Sequence, residues 1–510
     1  MNFLKSSIIV SLGTLLSRIL GFVRDLLIAR YLGAGVSSDI FFIGLRVPNA
    51  VRQIFGEGAF NLAFVPLFKK YCDDNKVNKK SLDFLEQTFT MFMFAILILL
   101  IVFEIFMPQI LNVLAPSLHI RGEGAFELAV NISRILMPYI LFVSYMTFMG
   151  AVLNSLGKFA AMAFAPAMVN VGYIAAFVVY SLTQMDVDIT YVPSWGFLFG
   201  GFLQFLVMYI SIKRMPFTIK FTKPTLSPEV KLLFRKFVPT VLGSGIVTLN
   251  SLVSVFLASS LQKGSVSFLF YSDRLIQLPT ALVSTAIATV LLPTLTQRIK
   301  EKREISAAFM RVFSITLIIS ALCASLIHLY SSEIINLLFE RGAFDRIATE
   351  KTAAAMALMA LSIPAIMNLK IVSVIFYAQG NTKLPTIIAA ASFIINLTLC
   401  LILMQHYDYL GLVLAGVVSI YFTIFVQLTI ILRHKVLEFK KVLLALFYFI
   451  VSGTIIYFVL FHAKDWFNIV WQINLDSDII FKLIYLVVAG VIGLTVTGLL
   501  VYVLKLHKRV

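Results

Sequence analysis

Five arginines stand where lipid would ordinarily be: Arg18 and Arg24 in the first long apolar stretch, Arg46 and Arg52 in the second, and Arg274 in a later one. A cation at the centre of a bilayer costs roughly 2.5–3.5 kcal/mol on insertion scales. A chain that carries several therefore needs internal acids, a water-filled cavity or an anionic ligand. Acids are present close by, at Asp25, Asp39, Glu57 and Asp273. They are fewer than the arginines, so the set keeps a residual positive charge. The planar fork of a guanidinium matches phosphate oxygens two at a time. The chemistry this points to is electrostatic capture of an anion, with a pyrophosphate as a fitting size and charge.

Spacing places these groups. Arg18 and Asp25 are seven residues apart and share a helix face, as do Asp39 and Arg46. Arg24 points roughly 120° away from Arg18, with Gly21 between them to permit a bend. Pro48 and the glycines around Glu57, in GEGAF, predict a broken helix, which membranes tolerate only within protein or around a cavity. In YSDRLIQLP, Asp273 and Arg274 come about one turn before Pro279. A second reading stays open for Asp25, Asp39 and Asp273: neutralised pairs that hold helices together without touching a ligand.

The elements that must carry these residues are membrane helices. Of 510 residues, 60% are hydrophobic and 13% charged, against about 25% charged in a soluble protein. Apolar runs long enough to span recur along the whole length. The fold class is an all-α polytopic membrane protein with fourteen transmembrane helices, near 6–31, 38–68, 83–107, 126–154, 159–181, 194–212, 232–260, 266–296, 305–330, 350–378, 385–404, 409–432, 442–462 and 479–504. Ser227-Pro228 starts a helix, and EVKLLFRKF after it reads as an amphipathic interfacial segment that feeds the seventh span. Cys72, Cys323 and Cys400 form neither a disulfide framework nor a metal spacing.

The net charge of +17 is mostly a statement of topology. Lysine and arginine crowd into alternate loops, including KKYCDDNKVNKK, the segment 213–236, Arg433–Lys441 and the KLHKRV tail. The opposite loops hold Arg121, Lys263, Arg341, Arg346, Lys351 and Lys464. The positive-inside rule then puts both termini in the cytoplasm. The basic excess calls for membrane lipids as neighbours and not for nucleic acid.

The chain also repeats itself. Pro138 and Pro364 lie 226 residues apart, and so do Asn170 and Asn396; FFIGLR at 41–46 matches LFYSDR at 269–274, and AFVP at 63–66 matches VLLP at 290–293, at nearly the same shift. This predicts two six-helix lobes, 1–226 and 227–435, around a central cavity, with a helix pair at 436–510. Repeat lobes with charge inside them suit alternating access.

At these residues the sequence resembles a known family. SRILGFVRDLLIARYLGAGVSSDIFFIGLRVPNAVRQIFGEGAFNLAFVP is similar to the N-terminal signature of the MurJ (MviN) family of lipid II flippases. SVSFLFYSDRLIQLPTALVSTAIATVLLPTL resembles its eighth-span motif, and LNSLGKFAAMAFAPAMVN and FYAQGNTKLP match two repeat-related loops. The resemblance extends over essentially the whole chain. It implies the fold of the multidrug/oligosaccharidyl-lipid/polysaccharide exporters. It also implies movement of lipid II, an undecaprenyl-pyrophosphate-linked peptidoglycan precursor, from the cytoplasmic to the outer leaflet of a bacterial inner membrane, for cell-wall synthesis. Arg18, Arg24, Arg52, Arg274, Asp39 and Ser267 fall on positions the family uses for substrate; Asp25, Arg46, Glu57 and Asp273 are added as supporting or gating groups. The last two helices correspond to a groove for the lipid tail. Partners implied are lipid II, membrane lipids and cell-wall synthesis proteins.

Some members are thought to bind sodium through an asparagine and an aspartate one turn later; here Asn396 is followed at that spacing by Cys400, and a thiol suits a hard cation poorly. The expectation is no cofactor and no metal, with membrane potential as the driver. Alternatives of the same fold are an exporter of another polyprenyl-pyrophosphate-linked oligosaccharide, of O-antigen type, and a cation-coupled drug exporter, whose cavity should be acidic. An enzyme acting on polyprenyl phosphates would need paired aspartates for magnesium; the adjacent pair available is Asp73-Asp74, in a basic loop. The expected class is a transporter and not an enzyme.

Overall fold

Helices make up the regular structure of the computed structural model, which describes residues 3–56, 59–72, 77–301, 303–471 and 478–504. Glu57 and the Asp73-Asp74 pair lie outside the described residues. Contacts divide the chain into two units, Met1–Val266 and Ser267–Val510.

The first unit holds α1 (Phe3–Leu32), α2 (Val36–Gly56), α3 (Ala59–Tyr71), α4 (Lys79–Leu114), α5 (Ala125–Leu136), α6 (Tyr139–Ser155), α7 (Ala160–Thr183), α8 (Tyr191–Lys213) and α9 (Pro228–Ser259), with a 3-10 turn at Pro116–Ile120. The second holds α10 (Ser265–Lys300, whose first two residues belong to the first unit), α11 (Ser306–Leu329), α12 (Ser331–Phe339), α13 (Arg346–Ala360), α14 (Ile363–Ala378), α15 (Lys383–Tyr407), α16 (Tyr409–Arg433), α17 (Phe439–Trp471) and α18 (Ile479–Val503). α9 packs on α2, α3 and α4, so the contact boundary falls one helix later than the repeat boundary.

Local signals in the sequence set several helix ends. Asn78 caps α4, its side chain accepting from Ser81 N at 2.8 Å while Ser81 Oγ accepts from Asn78 N at 2.8 Å, a reciprocal box that satisfies two orphan amides. Ser227 Oγ accepts from Val230 N at 3.4 Å, as its place before Pro228 predicts. The segment after it does not form a separate interfacial helix. It runs without a break into α9, 32 residues long. α2 likewise continues through Pro48 to Gly56. A proline removes one ladder bond and strains the carbonyl four residues back, here Gly44, where α2 approaches α5 so closely that a Cβ would sit 2.9 Å from Ser133 Oγ. α2 is thus continuous from Val36 to Gly56, and the rest of the expected break, around Glu57, lies outside the described residues.

Among the described residues, ten helices are long and apolar enough to cross a membrane, counting Ala125–Ser155 as one, and eleven if α13 and α14 make one span bent by 41°. α1 and α2 are not among them; Arg18, Arg24, Asp25, Asp39, Arg46 and Arg52 dilute their apolar character. Corresponding helices break near the repeat-related prolines, between α5 and α6 at Pro138 and between α13 and α14 just before Pro364. In the second case the freed carbonyls find partners: Tyr421 Oη donates to Leu361 O at 2.9 Å, and His328 Nδ1 lies 2.9 Å from Ala357 O.

Each unit has its own packing scheme. In the first, Phe60, Phe64, Phe84, Phe92 and Phe148 stack with ring centroids 4.8–5.9 Å apart, which gathers α3, α4 and α6. α7 and α8 meet through glycines: a Cβ at Gly172 would overlap the backbone of Gly196 and Gly200. In the second, Phe309, Phe313, Ile371, Ile375 and Ile424 form the core. Tyr330, Leu460 and Tyr485 pack α17 and α18 against the end of α11.

Candidate functional site

α1 is held against α7 along one side. A Cβ at Gly13 would lie 2.7 Å from Ala163 O, and Asn170 Nδ2 donates to Ser17 O at 3.0 Å. That packing turns Arg24 inward. Its Nη2 donates to Asp25 Oδ1 at 2.7 Å, its Nε to the same oxygen at 3.0 Å, and its Nη1 to Asn170 Oδ1 at 2.9 Å. The guanidinium carbon lies 5.3 Å from the Tyr173 ring centroid, close enough for a cation–π contribution. Asp25 is 5% exposed. Two donors are thus committed to a carboxylate and one to an amide, with a ring alongside, a fixed orientation for a charge in an apolar setting.

Asp25 and Asp39 each take an arginine other than the one that shares their helix face. Arg18 and Asp25, two helical turns or about 10.5 Å apart along the axis, do not pair; Asp25 takes Arg24 instead. Asp39 behaves similarly. It is 0% exposed and accepts from Arg121 Nη1 and, at 2.8 Å, from Gly264 N. Arg121 Nη2 also donates to Ser259 O at 2.7 Å and Leu261 O at 3.1 Å. The pair binds the start of α2, the turn after α4 and the loop between α9 and α10 into one buried polar knot.

Arg46 Nη1 donates to Ser251 Oγ of α9 at 2.9 Å, and Arg52 Nε to Asn49 Oδ1, one turn earlier, at 3.3 Å. Tyr139, 4% exposed, lies within electrostatic range of both Arg24 and Arg52, which links these two arginines through the α5–α6 break. Arg18 is exposed on α1.

In the second unit, α10 is anchored through its first turns. Tyr271 packs between Phe339 and Phe344 at 5.1 and 5.4 Å, and Ser272 Oγ donates to Thr352 O at 2.8 Å. This fixes Asp273 and Arg274, the next residues, in register. Arg274 is half-buried with its guanidinium carbon 5.5 Å from the Phe270 centroid; Asp273 is exposed and accepts from Gln277. α10 passes through Pro279, and Thr280 Oγ1 donates to Ile276 O at 3.0 Å in the same turn. Ser267 is fully buried in the first turn of α10. On α15, Cys400 Sγ lies 3.8 Å from Asn396 Oδ1.

Sequence reasoning missed the partners. Asn170 is legible as a repeat anchor but not as the acceptor for Arg24. Arg121, counted among loop cations, gives no sequence signal that it closes on Asp39.

The family model described as lipid II flippase MurJ matches residues 28–497. A curated relative from Rickettsia prowazekii (strain Madrid E), "Probable lipid II flippase MurJ", is 32% identical over 427 residues, covering 83% of each chain. "Lipid II flippase MurJ" from Burkholderia cenocepacia is 32% identical over 404 residues, 78% of this chain and 77% of that one. Among solved structures, "Lipid II flippase MurJ, inward closed conformation" aligns with a TM-score of 0.81 at 25% identity, covering 98% of this chain and all of the other. An inward-facing multidrug resistance MATE family transporter of the MOP superfamily aligns with a TM-score of 0.65 at 14% identity over 82% of this chain, a likeness of fold alone.

Proposed function

This chain belongs to the lipid II flippase MurJ family, and from that membership we infer that it flips lipid II across the bacterial inner membrane for peptidoglycan synthesis, as a transporter and not an enzyme. The direction is from the cytoplasmic to the outer leaflet, with both termini cytoplasmic in keeping with the lysine and arginine pattern. α1, α2 with α3, and α9 complete a set of fourteen spans, arranged as six-helix lobes 1–226 and 227–435 with the pair 436–510 as the lipid-tail groove.

The observation that carries the mechanism is Arg24, a guanidinium oriented by Asp25, Asn170 and Tyr173 inside an apolar helix. Arg18, Arg24, Arg52 and Arg274 hold the pyrophosphate of the precursor. Asp39 and Ser267 belong to the substrate set through the positions they share with the family. Asp25, Arg46, Glu57 and Asp273 support or gate. Binding in one state and release in the other requires differential affinity; neutralising the arginines favours closure around the anion. Membrane potential, worth up to about 2.3 kcal/mol per full charge per 100 mV, returns the unliganded positive site. With Cys400 beside Asn396, no sodium ion is required. Membrane lipids surround the spans, and cell-wall synthesis proteins receive the product.

Arg52→Ala and Arg274→Ala test this set outside the Arg24 cluster. In a strain depleted of its own flippase, each is expected to cut growth support at least about tenfold, the loss of one charge-assisted phosphate contact, at unchanged membrane abundance. Full growth with both variants contradicts capture by arginine.

A further inference from the structure

The chain from Arg214 to Ser227, between α8 and α9, is the longest stretch among the described residues with neither helix nor strand. Connections of more than about 12–15 residues without regular structure are uncommon in compact folds, and are either functional or disordered. This one sits at that limit, and it is held in place. Met215, Phe217 and Ile219 are partly buried, while Arg214, Pro216, Thr218 and Lys220 are exposed. That alternation is the period of an extended chain, laid with one edge against the protein.

Three contacts fasten it, all to one helix. Lys220 N donates to Glu86 Oε1 at 2.8 Å, Thr222 N donates to Thr90 Oγ1 at 3.0 Å, and the Phe221 ring lies 5.0 Å from that of Phe89. The hydroxyl oxygens of Thr90 and Thr222 are 3.5 Å apart. Glu86, Phe89 and Thr90 stand at i, i+3 and i+4, on one face of α4. Phe89 is itself fixed against Tyr145 and Phe148 of α6, at 5.9 and 5.3 Å. A carboxylate and a hydroxyl of α4 thus stand in for the neighbouring strand that an extended backbone ordinarily pairs with. The fastening is light: the Glu86 bond is exposed and Phe221 is 72% exposed, so water competes for both.

The place of the fastening sets a length. Beyond Thr222 the run 223–226 remains before Ser227, whose side chain caps α9. An extended chain spans at most about 3.3–3.6 Å per residue, so a fastened Thr222 keeps the start of α9 within roughly 18 Å of that point. Released from α4, the run is free from Lys213 onward, and the start of α9 can stand roughly 50 Å from the end of α8.

We propose that residues 214–227 are a leash of two lengths. Fastened on α4 by Glu86, Phe89 and Thr90, it holds the start of α9 close; released, it lets that end of α9 move away from α4. α9 opens the second sequence repeat, so release is a step in the lobe movement that transport requires. That last step rests on the transport reading; the fastening does not.

The test is a reversible lock. Thr90→Cys/Thr222→Cys in the full chain puts thiols where the two hydroxyls meet. Oxidation is expected to bridge them and to cut lipid II transport in proteoliposomes at least about tenfold, as for any blocked conformational step, and reduction to restore it. Each single variant, oxidised in the same way, controls for Cys72, Cys323 and Cys400. A pair that does not bridge, or bridged protein that transports at the wild-type rate, overturns the leash. Hydrogen exchange of the purified protein reads the fastening without transport. Glu86→Ala/Thr90→Val removes both side-chain acceptors and is expected to speed exchange at the Lys220 and Thr222 amides at least about tenfold. Wild-type exchange in that variant also overturns the leash. Wild-type protein that moves no lipid II, with the exchange difference intact, counts against the transport reading and leaves the fastening standing.

Discussion

Arg24→Ala is expected to abolish lipid II transport, with a rate at least about 100-fold below wild type. Two charge-assisted hydrogen bonds to phosphate oxygens, at about 1.5–3 kcal/mol each, account for a loss of that size. The substitution has a second consequence. It leaves Asp25, 5% exposed, without its ion-pair partner and removes the donor from Asn170 Oδ1. Breaking a buried pair from one side costs about 3–5 kcal/mol, so the single variant mixes lost function with lost stability. The double variant Arg24→Ala/Asp25→Asn separates them: it recovers most of the melting temperature and none of the transport. Arg24→Lys keeps the charge and loses the fork, and should fall between alanine and wild type. Transport by the stable double variant at the wild-type rate shows that Arg24 serves folding only.

Arg121→Ala is expected to be strongly destabilising, by about 3–5 kcal/mol. Asp39 is fully buried, and without Arg121 it retains Gly264 N–H as a donor, while Leu261 O loses the Arg121 donor and Ser259 O keeps Ser117 Oγ. Asp39→Asn/Arg121→Met removes both charges and should restore most of the stability, because a well-packed neutral pair of similar volume is often no worse than a buried ion pair. Thermal unfolding in detergent measures this. Transport by the double variant then separates two roles for Asp39. Near-wild-type transport makes Asp39 and Arg121 a structural clasp; lost transport at restored stability keeps Asp39 in the substrate set.

The helices were legible in the sequence because long apolar runs carry their own signal, and caps such as Ser227 and the prolines at 138 and 364 mark their ends. Partners were less legible. Spacing on one helix assigns faces, as for Arg18 with Asp25 and Asp39 with Arg46, and does not name partners. Two turns of helix separate each couple, and long side chains find nearer partners across the fold. Arg24 finds Asn170, 146 residues away, and Asp39 finds Arg121, 82 residues away. Such pairings depend on which helices touch. Those contacts are set by features with no charge signal at all, such as the glycine seam between α7 and α8. Pro48, expected with the glycines around Glu57 to break its helix, does not end α2, which runs on to Gly56.

The most direct test of the account is the accessibility of lipid II at the outer leaflet in cells depleted of their own flippase and expressing this chain. Wild-type protein is expected to restore accessibility within the time that depletion takes to block it, and Arg24→Ala at equal membrane abundance is expected to leave the precursor inside. Precursor that stays inaccessible with the wild-type chain, or that reaches the outer leaflet equally with Arg24→Ala, contradicts it.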